Sequence, residues 1–223
     1  MSNLKHFVQL MSYVHNDNGN LHHYARSGRD NSERSTMPIT SFIYEFFMYN
    51  ALYSIDWSIS TVSMDIMYNM QGRENRKQND FEDYIKLLCS DNGIIFFKSF
   101  SPLLDKSFTG PWTDVVPDSR ITKEIGKKYF NNMDKLHKHI KNGIADNSYE
   151  IEAIFRLIRE CRYYVYLVRC NVFHGSKNVG DIDEGHKKRI QIYYLFLKCV
   201  LDGFFNLTKN GNIFERNNRL TTG

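Results

Sequence analysis

Apolar positions along this chain recur at steps of three and four, the period of a helix face, and not at the steps of two that strands require. The pattern is most regular from Arg120. Ile121, Ile125, Tyr129, Met133, Leu136 and Ile140 define one apolar face, which predicts an amphipathic helix ending near Asn142–Gly143, where glycine favours a stop. A second helix follows. Asn147 is its expected cap, with Glu150 three residues on as in a capping box. Ile151, Ile154, Ile158, Cys161, Val165, Val168 and Val172 then alternate steps of three and four, a seam that predicts packing along the whole length. Arg162, Tyr166, Arg169 and Phe173 form a second stripe beside it. The last helix is expected to start near Asp181 or Asp183, with Ile190, Tyr194, Leu197, Leu201 and Phe204 inward.

The first half is less regular. Leu4, Phe7, Val8 and Met11 suit a short amphipathic helix, and residues 15–36 are polar enough to read as a loop or flexible arm. The pair His22–His23 lies there without partners at ligand spacing. Pro38 suits a first helical turn with Thr36 as cap. Phe42, Phe46, Tyr49 and Tyr53, widened by Ile43, Phe47 and Ala51, predict a helix buried on most sides. Asp80 to Cys89 reads as a shorter helix with Phe81, Tyr84, Ile85 and Leu88 inward. Residues 93–118 hold three of the four prolines and read as an irregular insertion. The expected architecture is therefore all-α, a bundle of about four core helices with additional helices. Residues 1–36 form an N-terminal helix and arm, 37–210 the helical domain, and 211–223 a loose tail.

Composition narrows the class of protein without fixing it. A chain of 223 residues can bury a sizeable core. No run approaches the ~18 apolar residues of a membrane span, no signal peptide is evident, and the reading is a soluble cytoplasmic protein with no membrane partner. The four cysteines, Cys89, Cys161, Cys170 and Cys199, show no metal-ligand spacing, so no metal or cofactor is expected and the thiols read as reduced. The net charge of +4 permits a polyanionic partner. Arg120, Lys123, Lys127, Lys128, Lys135, Lys138 and Lys141 face only Glu124 and Asp134 along one helix. A charged helix face is ordinarily just solvated; its single sign makes this one a candidate polyanion track.

The most specific stretch is "LVRCNVFHGSKN", residues 167–178. Arg169 and His174 are five positions apart, about 7.5 Å of rise on an unbroken helix. Gly175, Ser176, Asn178 and Gly180 end the helix about here. Unwinding of the last turn at Phe173 brings the His back towards the Arg face. Without context, a His before a Gly at a helix end is usually a cap or a dipole partner.

"VRCNVFHGSKN" resembles the signature of the HEPN superfamily, small helical bundles marked by an Arg, four to six residues, then a His. "FFMYNALY", residues 46–53, is similar to the first core helix of one branch. The resemblance is strong over residues 147 to about 207 and weaker at 42–53. It implies a metal-independent endoribonuclease acting on RNA as a homodimer, with the Arg and His of two subunits facing each other. A toxin-like role in antiviral defence or stress, and an inhibitory or regulatory protein as a further partner, come with the same resemblance. Arg169 would clamp phosphate, His174 would serve as general acid and base, and Asn171 would orient one or the other. Arg162, Lys177, Lys127 and Lys128 are the candidate RNA-binding residues. Two departures stand out: Cys170 directly follows the Arg, where many members carry a polar residue, and Ser176 stands where some toxin members carry a Tyr modified by a partner nucleotidyltransferase. The competing readings are a non-catalytic helical module that binds RNA, nucleotide or a partner protein, and a structural interaction protein using the aromatic 42–53 helix.

Overall fold

The structure is a computed structural model and describes residues 8, 11–12, 31–55, 57, 70–104, 123–173 and 184–210. Among these residues the regular structure is entirely helical: α1 (Asn31–Tyr53), α2 (Met70–Lys98), the single turn α3 (Ser101–Leu104), α4 (Lys123–Asp146), α5 (Ile151–Phe173) and α6 (Glu184–Asn210). α1 lies along α6, α4 along α5, and α2 runs between, touching both α6 and α5. The loose tail at 211–223, the His22–His23 pair and the start of the expected last helix at Asp181–Asp183 lie outside the described residues.

The predicted seams are the core. Tyr129, Met133, Leu136 and Ile140 of α4 are buried, as are Ile154, Ile158, Cys161, Val165 and Val168 of α5 and all five inward positions of α6. Aromatic rings tie the helices together in three places. Tyr129 stacks on Tyr164 at 4.3 Å, and both meet Tyr193, joining α4, α5 and α6. Trp57, just past α1, meets Tyr84 at 4.6 Å, Phe81 at 5.4 Å and Phe204 at 5.7 Å, and its indole N–H donates to the Leu52 carbonyl at 2.6 Å. Phe96 stacks on Phe155 at 5.6 Å. Offset and edge contacts of this kind each add about 0.5–1.5 kcal/mol beyond the area they bury. The apolar window Ile190–Thr208 of α6 has the length and composition of a membrane span, but 67% of it is buried inside the bundle, which is how a central core helix reads.

Several boundaries differ from expectation. α1 starts at Asn31, within the stretch read as an arm, and passes through Pro38, which forfeits one N–H bond to the preceding turn. Over 41–53 α1 is buried on most sides, as its stripe predicts, with Tyr44 and Phe47 half exposed (50% and 49%) on the remaining strip. The short helix expected at 80–89 is part of a 29-residue element kinked at Asn92 (φ −137°, ψ 30°). The first part of the supposed insertion is therefore core: Phe96, Phe97, Phe100 and Leu103 are all buried. The remainder, from 105, lies outside the described residues.

The corner between α4 and α5 also departs from the prediction. α4 runs through Gly143 to Asp146, and Asn147 adopts a left-handed conformation (φ 49°). The Ser148 N–H donates to the Gly143 carbonyl at 3.1 Å. This is a Schellman closure, with Asn147 in the position glycine usually takes. Asn147 therefore ends α4 and does not cap α5. The Glu150 carbonyl accepts from Ile154 at 3.0 Å, so Glu150 opens α5. Gly143 is needed for another reason: a Cβ there would run into the Tyr149 ring, which folds back over it.

Two substitutions test these readings. A Cβ on Gly203 of α6 would meet Phe96 Cε2 at 2.8 Å, and Phe96 is held by Phe97, Phe100 and Phe155. Gly203→Ala should lower stability by about 1–3 kcal/mol, as overpacking does, in urea unfolding followed by circular dichroism. Asn147→Val should cost about 1–2 kcal/mol by the same measurement, because a branched side chain resists positive φ, while Asn147→Gly should stay close to wild type.

Candidate functional site

The candidate residues fall into three places. Arg162 is in the core. It is only 6% exposed, and its Nε lies 2.8 Å from Glu82 Oε1. Its terminal nitrogens donate to Gln78 Oε1 and, at 2.8 Å, to Asn79 Oδ1. Arg159, one turn earlier on α5, places Nε 3.3 Å from Glu82 Oε2 and donates to Asp83 Oδ1 at 2.5 Å. The Tyr49 hydroxyl of α1 donates to Glu82 Oε1 at 3.0 Å. The expected phosphate contact by Arg162 is thus corrected: its fork is spent on α2, and it has almost no surface left for a ligand.

The electrostatics of this cluster follow from its burial. Loss of hydration pushes the Glu82 carboxyl above its ordinary value, although Arg162, Arg159 and Tyr49 pull the other way. Burial and the Glu82 charge hold the Tyr49 hydroxyl well above 10. Burial opposes the charge on Arg162, and Glu82 with Tyr49 more than offsets it. The sequence carries a signal for this clasp that periodic reading passes over. Gln78, Glu82, Ile85 and Cys89 are spaced four, three and four, so two polar residues sit on a row whose apolar members are buried.

The second place is the end of α5. Arg169 lies a little more than one turn before Phe173, the last residue of the helix. It is half-buried, with its guanidinium carbon 5.3 Å from the Phe46 ring centre and 5.9 Å from that of Tyr166. Its Nη1 is 3.9 Å from the Cys170 sulfur. A guanidinium over an aromatic face gains about 0.5–2 kcal/mol, depending on desolvation, and two rings fix its direction. Phe46 comes from the 46–53 stretch of α1, so Arg169 is positioned by two helices. Asn171 lies in the last turn of α5; His174 and Lys177 lie outside the described residues. Cys170 is buried with the other three cysteines, all free.

The third place is a groove of about 590 Å³ between α4 and α5. Lys127, Lys128 and Lys135 line it from α4, together with Asn131, and Arg156 and Glu160 line it from α5. Glu160 is already engaged: Asn132 Nδ2 donates to it at 2.6 Å and Lys128 Nζ is 3.5 Å away. His139, at one end, lies 3.3 Å from Glu150. Lys127, Lys135 and Arg156 have no carboxylate partner among the described residues. Sequence reading found Lys127, Lys128 and Lys135 and missed Arg156, which lies on a helix read for its seam and for the stripe from Arg162 to Phe173.

The groove and Arg169 are not one site. Glu160 and Arg169 are nine residues apart, about 180° round the helix axis and about 13 Å along it. Among the described residues no group of three His, Cys, Asp or Glu side chains is placed to hold a metal ion. Comparison with known proteins finds no matching family model, curated protein or solved structure.

The ionic clasp makes a definite prediction. Glu82→Leu leaves the Arg162 charge buried against amide oxygens alone and should cost about 3–5 kcal/mol. Arg162→Met leaves Glu82 with Arg159 and Tyr49 and should cost less. In urea titrations the double variant should be more stable than the sum of the two losses implies; strict additivity would mean that the pair is not coupled.

Proposed function

We propose that the chain is a metal-independent endoribonuclease built on an HEPN-like bundle, with Arg169 and His174 as its reacting pair and the site completed across a homodimer. The observation that carries this reading is Arg169 itself. Its guanidinium, partly buried and aimed by Phe46 and Tyr166, stands near the end of α5, and His174 follows the last residue of that helix in sequence.

The residue types suit RNA. The polymer carries its own nucleophile, the 2′-hydroxyl next to the scissile phosphodiester. Its attack on phosphorus breaks the bond to the 5′-oxygen and leaves a 2′,3′-cyclic phosphate and a 5′-hydroxyl. One proton must leave the 2′-oxygen and one must reach the 5′-oxygen. An imidazole with a pKa near 6.5 can do either at neutral pH. The guanidinium never loses its charge and offers paired donors to the phosphoryl oxygens as charge builds on them. Asn171, in the last turn between them, is proposed to orient the His or the phosphate.

The test is cleavage of single-stranded RNA by purified protein in EDTA, with product ends identified by mass. Wild type should give cyclic phosphate termini. His174→Ala should lose about 10²–10⁴-fold in rate, the usual range for a proton-transfer group, and Arg169→Lys should lose activity while keeping its fold. Equal cleavage by His174→Ala, or RNA binding by wild type without cleavage, removes the catalytic reading and leaves a binding module.

A further inference from the structure

Tyr163 of α5 is 46% exposed. It is an unusual place for a large ring, between the basic groove and Arg169. On a helix turning 100° per residue, Arg156, Tyr163, Tyr166 and Arg169 lie at about 0°, −20°, −80° and −140° round the axis, over about 20 Å of rise. They form a diagonal stripe that starts on the exposed face of α5 at Arg156 and Tyr163 and turns towards its packed side, where Tyr166 and Arg169 are partly buried. It begins in the groove, where Lys127 and Lys135 face Arg156, and it ends at the guanidinium held by Tyr166.

We infer that this stripe is a track for single-stranded RNA: the groove cations take the phosphodiester backbone, Tyr163 stacks on a base, and the strand is delivered past Tyr166 to Arg169. The inference rests on the reading of RNA as substrate and adds how the strand is held. Three features support it. Lys127, Lys135 and Arg156 have no carboxylate partner among the described residues, whereas of the two acids lining the groove Glu160 is taken up by Lys128 and Asn132 and Glu124 has interactions of its own. Lys127, Asn131 and Lys135 repeat every four residues, a row parallel to the groove. Cations along a groove followed by an exposed ring are the arrangement by which single strands are bound without reading sequence.

The experiment is fluorescence anisotropy with a labelled 2′-O-methyl RNA of about 12 nucleotides, within the usual site size, which lacks the hydroxyl needed for cleavage. Tyr163→Ala should weaken binding by about tenfold, the scale of one lost stacking contact. The triple variant K127E/K135E/R156E should abolish measurable binding. Replacing the same three residues by Gln should flatten the slope of log affinity against log salt by about 2, from three lost contacts on a single strand. Lys98→Glu, a charge change at the exposed end of α2, should alter affinity less than twofold. Unchanged binding in the Tyr163 and groove variants overturns the track, even where the protein cleaves RNA and depends on His174. Loss of cleavage in His174→Ala with RNA binding intact leaves the track standing. Self-association that Tyr163→Ala abolishes, with RNA affinity unmoved, makes the stripe a protein contact and overturns the inference. Inorganic triphosphate that competes at the groove but leaves RNA bound would assign the cations to a small ligand, with the same consequence. Lys98, Lys127, Lys135, Arg156 and Tyr163 are exposed, so variants at these positions should fold, and their melting temperatures verify it.

Discussion

One buried carboxylate sets the terms for three helices. Glu82 of α2 is enclosed and receives a hydroxyl from α1 and two guanidinium groups from α5. An apolar core tolerates sliding, because one leucine is much like the next. A charge in low dielectric does not: leaving it unmatched costs several kcal/mol. The cluster therefore selects one register of α2 against α5 and one rotation of α1 above them. That rotation puts Phe46 beneath Arg169 and leaves Tyr44 on the outside. The placement of the candidate catalytic arginine is a downstream effect of a charge pair about two turns away.

Aromatic packing then makes the arrangement rigid. The tyrosine group of α4, α5 and α6 and the group that Trp57, just past α1, makes with α2 and α6 share α6, so neither can shift without the other. Gly203 lets α6 approach α2 closely enough for Phe96 to press against its backbone. The kink at Asn92 serves the same end. The first part of α2 faces Arg159 and Arg162, the later part faces Phe155 and the Gly143–Tyr149 corner, and a straight helix of that length could not follow both.

How far the sequence was readable depended on whether one period governed a segment. The seams of α4, α5 and α6 were readable because burial there follows helical repetition, from Tyr129 to Ile140 or Ile154 to Val168. Reading failed where a local signal competed with tertiary contacts. Gly143 looked like a stop, but the stop is made by Asn147, and Gly143 is small because Tyr149 covers it. Residues 93–104 looked irregular because of a glycine and a proline, although Phe96, Phe97 and Phe100 kept helical spacing. In the candidate site, Arg162 and Arg169 lay on one stripe at helical spacing and looked equivalent. Arg162 is set apart by its burial against α2, and nothing in the α5 sequence names that neighbour. The groove was half readable, since the lysines lie on one helix and Arg156 on the next.

The Schellman closure at Asn147 has a wider consequence. It joins α4 to α5 by a corner with little slack, closed by a backbone hydrogen bond and covered by the Tyr149 ring. The two helices are in effect a clamp with a fixed hinge, and the gap between their polar edges is a manufactured width, set before any ligand arrives. On the proposed reading, a strand entering that gap is selected by calibre as well as by charge, without the protein closing around it.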